Sequence, residues 1–207
     1  MNRSIIPAVI PMAIGTFVPL AIGTTAGKLT GVFLVLMVPF MFSSLFGSAA
    51  ARQSVQGSIY DFKLNALDGK PVDFEQYKGK YLLVVNTASK CKYTPQYADL
   101  EKLHEQFGQK IAVLGFPANN FLWQEPGSNE QISEFCVKNY GVKFQMFEKV
   151  SVKGKDKAPL YKWLEAKTGE TPSWNFCKYL VDPMGNVIGY FGSKVSPLDK
   201  QIVGELK

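Results

Sequence analysis

The sequence predicts an α/β domain, a central mixed sheet flanked by helices, behind an N-terminal hydrophobic segment. Three observations predict it. Two continuous apolar runs, 81–85 (Tyr-Leu-Leu-Val-Val) and 111–116 (Ile-Ala-Val-Leu-Gly-Phe), read as strands buried on both faces. Between them lies a stretch with Leu100, Leu103 and Phe107 at helical spacing, and strand–helix–strand is a parallel unit. Ahead of all this, residues 4–27 and 29–51 hold no charge. Each is long enough to cross a hydrocarbon core, which takes roughly 20 apolar residues.

The elements come in order along the chain. Residues 59–64 alternate apolar and polar and read as a strand. Leu67-Asp68-Gly69-Lys70 is a turn, Asp-Gly being a hairpin signal. The strand at 81–85 leads to Cys91, and an amphipathic helix runs from Pro95 to about Phe107. After the strand at 111–116, Ser128-Asn129-Glu130-Gln131 opens a helix with Ile132, Phe135, Cys136 and Tyr140 on one face. Residues 147–152 read as a short strand, and Leu160, Trp163 and Leu164 mark another helix. Residues 179–181 and 187–191 flank Asp182-Pro183-Met184-Gly185 as a hairpin, and 197–206 read as a closing helix. A parallel pair, then helices, then a hairpin and a last helix is a thioredoxin-like arrangement.

Three divisions are expected: 1–51 a hydrophobic membrane anchor or signal region, 52–57 a linker, and 58–207 the folded domain. The first division admits several readings: a helical hairpin, a single signal-anchor, a cleaved export signal built on Lys28, an apolar core and Ala49-Ala50-Ala51, or a buried helix pair. The domain is thus expected to be membrane-anchored, or exported if the signal is cleaved. Arg3, Lys28 and Arg52 are too few to fix the side of the membrane.

The formal charge is +6, but those three residues are the only charged ones before Asp61. Removing them from the 23 basic residues leaves 20 against 17 acidic. That balance is too mild for nucleic acid and suits weak attraction to anionic substrates or lipid headgroups. Three cysteines, Cys91, Cys136 and Cys177, do not make a disulfide scaffold, and there is no C-x-x-C. The single histidine, His104, completes no metal-ligand spacing with them, so no metal is expected.

Cys91 sits where a strand ends and a helix begins. Free N–H groups and partial positive charge at a helix N-terminus favour the thiolate, the reactive form of cysteine. Lys90 and Lys92 add a positive field. Alone, such a thiol could equally be an inert core residue. Its surroundings decide. Asn86-Thr87-Ala88-Ser89-Lys90-Cys91 resembles the nucleophile motif of the glutathione peroxidase family. Residues 115–128, Gly-Phe-Pro-Ala-Asn-Asn-Phe-Leu-Trp-Gln-Glu-Pro-Gly-Ser, are similar to its second motif, and Trp174-Asn175-Phe176-Cys177-Lys178-Tyr179-Leu180-Val181-Asp182 to its third.

The resemblance implies four central residues: Cys91 as peroxidatic cysteine, with Gln124, Trp174 and Asn175. Their chemistry suits the role, because amide and indole N–H groups are neutral donors able to hold a thiolate and a developing alkoxide without quenching either. It implies a thiol-dependent peroxidase, acting on hydrogen peroxide or organic and lipid hydroperoxides through a cysteine sulfenic acid. Thioredoxin or glutathione would serve as reductant, with no metal, haem or flavin. Cys136 stands where several cysteine-containing members carry a resolving cysteine, although it also fits plain packing on an apolar helix face. As resolving residue it would need its helix to unwind partly, since a disulfide requires Cα atoms roughly 4.4–6.8 Å apart. Cys177 reads as a small buried side chain in a strand.

The chain departs from the family pattern at Lys92, usually glycine, at Ala118, where some members have a cysteine, and at Asn120, usually glutamine. The short stretch 167–173 lacks the loop material of tetrameric members, so a monomer is expected. A rival reading keeps the same sulfenic acid but passes oxidation to a partner protein, as a peroxide sensor.

Overall fold

The structure, a computed structural model, describes residues 57–206. The anchor or signal region expected at 1–51 and nearly all of the linker lie outside the described residues. No helix among the described residues is long and apolar enough to cross a membrane.

The elements are β1 (Lys63–Asn65), β2 (Pro71–Asp73), β3 (Tyr81–Thr87), α1 (Gln96–Phe107), β4 (Ile111–Pro117), α2 (Asn129–Tyr140), β5 (Gln145–Met146), α3 (Pro159–Thr168), β6 (Lys178–Val181), β7 (Val187–Phe191) and α4 (Lys200–Val203). β1 and β2 form the expected antiparallel hairpin. The other five strands form one mixed sheet in the order β5-β4-β3-β6-β7. β3 is central, parallel to β4 and antiparallel to β6. This is the thioredoxin-like arrangement.

β3 shows why the sheet is two-sided. Successive side chains point to opposite faces. Leu82 and Val84 join Phe74, Phe116, Phe147, Tyr161 and Tyr179 in one buried cluster. Leu83 and Val85 join Tyr97, Leu100, Leu103, Phe144 and Ile202 in the other, which also holds Cys91 and Cys136. Burial on both faces explains the apolar run at 81–85, and the strand turns polar only at its end, Asn86 and Thr87.

α2 carries its own boundary signals. Ser128 and Gln131 form a reciprocal capping box, and Gly141 closes the helix in the left-handed region at φ 63°. The Gly141 N–H bonds to the Val137 carbonyl at 2.9 Å and the Val142 N–H to the Cys136 carbonyl at 3.4 Å.

Three expectations are corrected. Ile59–Asp61 is a turn of 3₁₀ helix, because Ser58 and Asp61 cap each other and override the alternating pattern. Residues 147–152 are not a strand beyond one isolated bridge at Phe147. There the Val150 N–H bonds to Pro117 O at the end of β4 and the Val152 N–H to the Asn120 side chain, so no continuous ladder forms. The closing helix shrinks to Lys200–Val203, since Asp199 caps it at Gln201.

Candidate active site

β3 and β4 end side by side, and the site is built on the loops leaving them. Two backbone bonds tie the two exits together: Ala118 N–H to Thr87 O, 3.0 Å, and Lys90 N–H to Gln124 O, 3.0 Å. A buried carboxyl reinforces them. Ser89 donates to Glu125 Oε1 at 2.8 Å, and the Glu125 N–H donates to Asn119 Oδ1 at 2.8 Å. Burial pushes the Glu125 carboxyl above its usual range, against the opposing effects of Ser89, Lys149 and Lys90.

Cys91 is a free thiol, only 8% exposed. It does not sit directly at a helix N-terminus: tight turns at Lys92–Pro95 intervene before α1. The donor role falls to the Tyr93 N–H, which approaches Cys91 Sγ at 3.4 Å. Thr94 holds this loop in shape. Its hydroxyl accepts from the Cys91 N–H at 2.9 Å and donates to Ala88 O at 2.8 Å. The Lys92 ammonium lies 5.1 Å from the Tyr93 ring centre.

Trp174 and Asn175 arrive on the loop before β6. The Asn175 amide donates to Gln124 Oε1 at 2.9 Å. Trp174 is half-buried in the same apolar cluster as Cys91, and its ring packs 5.5 Å from Phe121. Gln124, Trp174, Lys92 and Tyr93 line one groove of about 540 Å³. Thus three of the four residues named from sequence stand around this groove or bond to one that does, and Cys91 lies immediately beside it in the chain.

Asn86, near the end of β3, does the positioning that residue types alone could not reveal. Its amide donates to Trp174 O at 2.9 Å, and its side-chain oxygen accepts from the Cys177 N–H at 3.1 Å. Its main-chain oxygen accepts from the Phe176 N–H at 2.6 Å. One residue therefore holds both ends of the 174–177 loop. The loop carries strain: Phe176 has φ 63°, unusual for a bulky residue. Packing of its ring against Tyr97, centres 5.5 Å apart, keeps it there. The sequence signal for Asn86 and Thr94 is slight, a buried polar residue at each end of the nucleophile loop.

A second strained turn lies at 121–124, closed by Gln124 N–H to Phe121 O, 3.2 Å. Both central residues, Leu122 and Trp123, have positive φ, 51° and 52°. Such turns favour Gly, Asn and Asp, because other side chains clash there. Asn120, just before it, bonds to Ser151 and Val152.

Of the other two thiols, Cys136 lies apart from the groove, whereas Cys177 sits behind its wall, Sγ 3.7 Å from the hydroxyls of Ser173 and Ser193, which line it. Cys136 is buried in α2 and unpaired, and burial pushes its thiol up to about 11, with the Tyr97 hydroxyl opposing and Glu125 adding. Cys177 precedes β6 rather than lying in it. Burial pushes its thiol up, but the hydroxyls of Tyr190, Ser193 and Ser173 and the Trp174 backbone outweigh that and hold it below its usual value. Its neighbour Lys178 is fully buried, donating to Gln96 Oε1, Phe176 O and Val195 O, and burial lowers it to about 8. Among the described residues no cluster of His, Cys, Asp and Glu could hold a metal ion.

A free thiol at a strand exit of a thioredoxin-like sheet, with neutral amide and indole groups on the groove that adjoins its loop, fits a thiol-dependent oxidoreductase. Comparison with known proteins narrows the class. Residues 59–165 match the family model described as glutathione peroxidase. The chain is 46% identical over 151 residues to hydroperoxy fatty acid reductase gpx1 of a Synechocystis strain, covering 68% of this chain and 89% of that protein. It is 45% identical over 153 residues to glutathione peroxidase-like peroxiredoxin 2 of Saccharomyces cerevisiae, covering 70% and 94%. A crystal structure of Trgpx in apo form superimposes with a TM-score of 0.58 at 36% identity, covering 72% of this chain and 95% of that one. The chain belongs to the glutathione peroxidase family, and is a peroxidase oxidoreductase.

Proposed function

We propose that Cys91 is the peroxidatic nucleophile of a thioredoxin- or glutathione-dependent peroxidase. Its thiolate attacks one peroxide oxygen; the O–O bond breaks, and the other oxygen leaves as water or an alcohol after taking a proton. The sulfur is oxidised to a sulfenic acid. The Tyr93 N–H, the Gln124 amide and the Trp174 indole are the neutral donors for thiolate and leaving oxygen. Cys136 then attacks the sulfenic sulfur, forming a disulfide and releasing water. Two thiols of thioredoxin, or glutathione, reduce that disulfide. No metal, haem or flavin takes part.

The observation that carries this reading is the Asn175–Gln124 bond of 2.9 Å beside the Cys91 loop. It uses the Gln124 carbonyl oxygen and leaves the Gln124 NH₂ available to donate. Hydrogen peroxide and organic hydroperoxides are the substrate class. The relative named a hydroperoxy fatty acid reductase supports including lipid hydroperoxides. Residues 1–51 serve as a membrane anchor or, if cleaved, as an export signal, and 58–207 act as a monomer.

Peroxide consumption with thioredoxin and with glutathione, run in parallel, tests the proposal. Cys91→Ser is expected to abolish turnover with both. Cys136→Ser is expected to consume one equivalent of peroxide and then stall with thioredoxin. Sustained turnover by Cys91→Ser would remove the nucleophile assignment; sustained thioredoxin-driven turnover by Cys136→Ser would remove only the resolving role.

A further inference from the structure

The turn at Leu122 and Trp123 is the largest unexplained feature beside the groove. These adjacent side chains are 68% and 77% exposed, and neither is needed to close the turn, which Phe121 and Gln124 do through their backbone. Both occupy left-handed backbone that glycine would adopt without penalty. Phe121 is buried against Trp174 and Gln124 bonds to Asn175, so the turn is rigidly anchored at both ends. A strained, anchored turn that presents two large apolar groups to solvent is an interaction surface.

We propose that Leu122 and Trp123 form a wedge that seats the domain on an anionic lipid bilayer, with the groove mouth at the lipid surface. Three observations choose a bilayer over a protein. Tryptophan beside leucine, near lysines, is the composition of an interfacial anchor. Two lysines, Lys92 and Lys194, line the adjoining groove and no carboxylate does, while Lys153 lies 5.8 Å from the Phe121 ring centre, so the charge complements anionic headgroups. And the same chain carries, at 4–27 and 29–51, two uncharged stretches each long enough to span a bilayer, so it has a second reason to be near one. Two side chains alone would make a small contact by the standard of protein interfaces, which take about 800 Å² per partner. A shallow wedge working beside a separate anchor needs no such area.

The test uses residues 53–207. This part holds both hydrophobic clusters and the whole sheet, and the yeast relative is matched over 94% of its own length, so it is a self-sufficient folding unit. Vesicles of phosphatidylcholine with and without phosphatidylglycerol are mixed with the domain and with its Leu122→Ser/Trp123→Ser variant. Binding is read by co-sedimentation, insertion by quenching of tryptophan fluorescence with brominated lipid, and folding by near-ultraviolet circular dichroism. The wild-type domain is expected to bind the anionic vesicles and to be quenched. The folded double variant is expected to lose about tenfold in partitioning. The proposal is overturned if the folded variant partitions like wild type, if wild type ignores anionic vesicles, or if it binds neutral ones equally well. It is also overturned if the double substitution leaves vesicle binding intact and instead abolishes self-association or complex formation with thioredoxin. No peroxide is present, so the result is independent of the chemistry assigned to Cys91.

Discussion

Asn175 donates its side-chain amide to Gln124 Oε1 over 2.9 Å, and so leaves the Gln124 NH₂ as the free end, the donor to the reacting oxygen in the proposed mechanism. Asn175→Asp keeps the shape and reverses the polarity. A carboxylate there accepts from the Gln124 NH₂, turns the amide over and uses up its donor. The rate constant for peroxide reduction is expected to fall about 10²-fold, the usual effect of losing one preorganised donor. Gln124→Glu should match it within about threefold. Stopped-flow peroxide consumption checks both, and a change of less than about twofold in either would disprove the donor role.

Asn86 holds the 174–177 loop from both ends, so its loss should be felt twice. Asn86→Ala removes two side-chain hydrogen bonds and leaves the Trp174 carbonyl and the Cys177 N–H without these partners. Urea unfolding is expected to show about 2–4 kcal/mol of lost stability. Asn86→Asp keeps the acceptor for Cys177 but sets a fully buried carboxylate against the Trp174 carbonyl, so at neutral pH it should be less stable than the alanine variant, and it should regain stability as pH falls and the carboxyl takes up a proton.

Cys136 makes alkaline stability a readout of helix α2. Its thiol lies near 11 when folded, above the usual 9.0, so the folded protein keeps a proton that the unfolded chain releases. The resulting stabilisation is complete below pH 9 and is lost as pH rises through 11. Lys178 runs the other way: at about 8 when folded against 10.5, it makes stability rise with pH between those values. Comparing wild type with Cys136→Ala cancels the lysine. The stability difference, wild type minus variant, should shrink by about 2–3 kcal/mol between pH 9 and 11. A flat difference would mean the thiol is not held in its neutral form.

Leu122→Gly should make the domain more stable, against the usual direction of a glycine substitution. Glycine occupies the left-handed region without the clash that costs leucine about 1–2 kcal/mol, while it costs about 0.5–1 kcal/mol in chain entropy. A net gain of about 0.5–1 kcal/mol, visible as a higher Tm, is expected. A loss of stability would show that the exposed leucine makes contacts that repay its strain.

Legibility in the sequence tracks burial. β3 and β4 are legible because strands covered on both faces allow little but apolar residues, and α2 because Ser128, Gln131 and Gly141 each mark a boundary locally. Ile59–Asp61 misleads because alternation and a mutually capped 3₁₀ turn look alike over six residues. Residues 147–152 mislead because the partners that claim Val150 and Val152 are Pro117 and Asn120, some thirty residues earlier. The motif residues Gln124, Trp174 and Asn175 are visible by type and order. Asn86 is visible as the first residue of the nucleophile motif, but its positioning work and that of Thr94 are not, because both bond backbone atoms, and which backbone lies within reach is known only once the chain is folded. The strain at Leu122 and Trp123 leaves no trace, since nothing local demands a left-handed leucine.

The cap on α2 has a consequence for timing. On the proposed cycle, α2 partly unwinds to bring Cys136 to Cys91, and the end that opens is the one where the Gly141 N–H holds the Val137 carbonyl and the Val142 N–H that of Cys136. Every oxidised molecule therefore waits for a piece of helix to melt before it can be reset. During that wait the sulfenic sulfur is open to a second peroxide, which would carry it to the irreversible sulfinic state. The strength of one helix end then acts as a fuse rating: a tighter cap lowers the peroxide flux at which the protein burns out, and a looser one raises it.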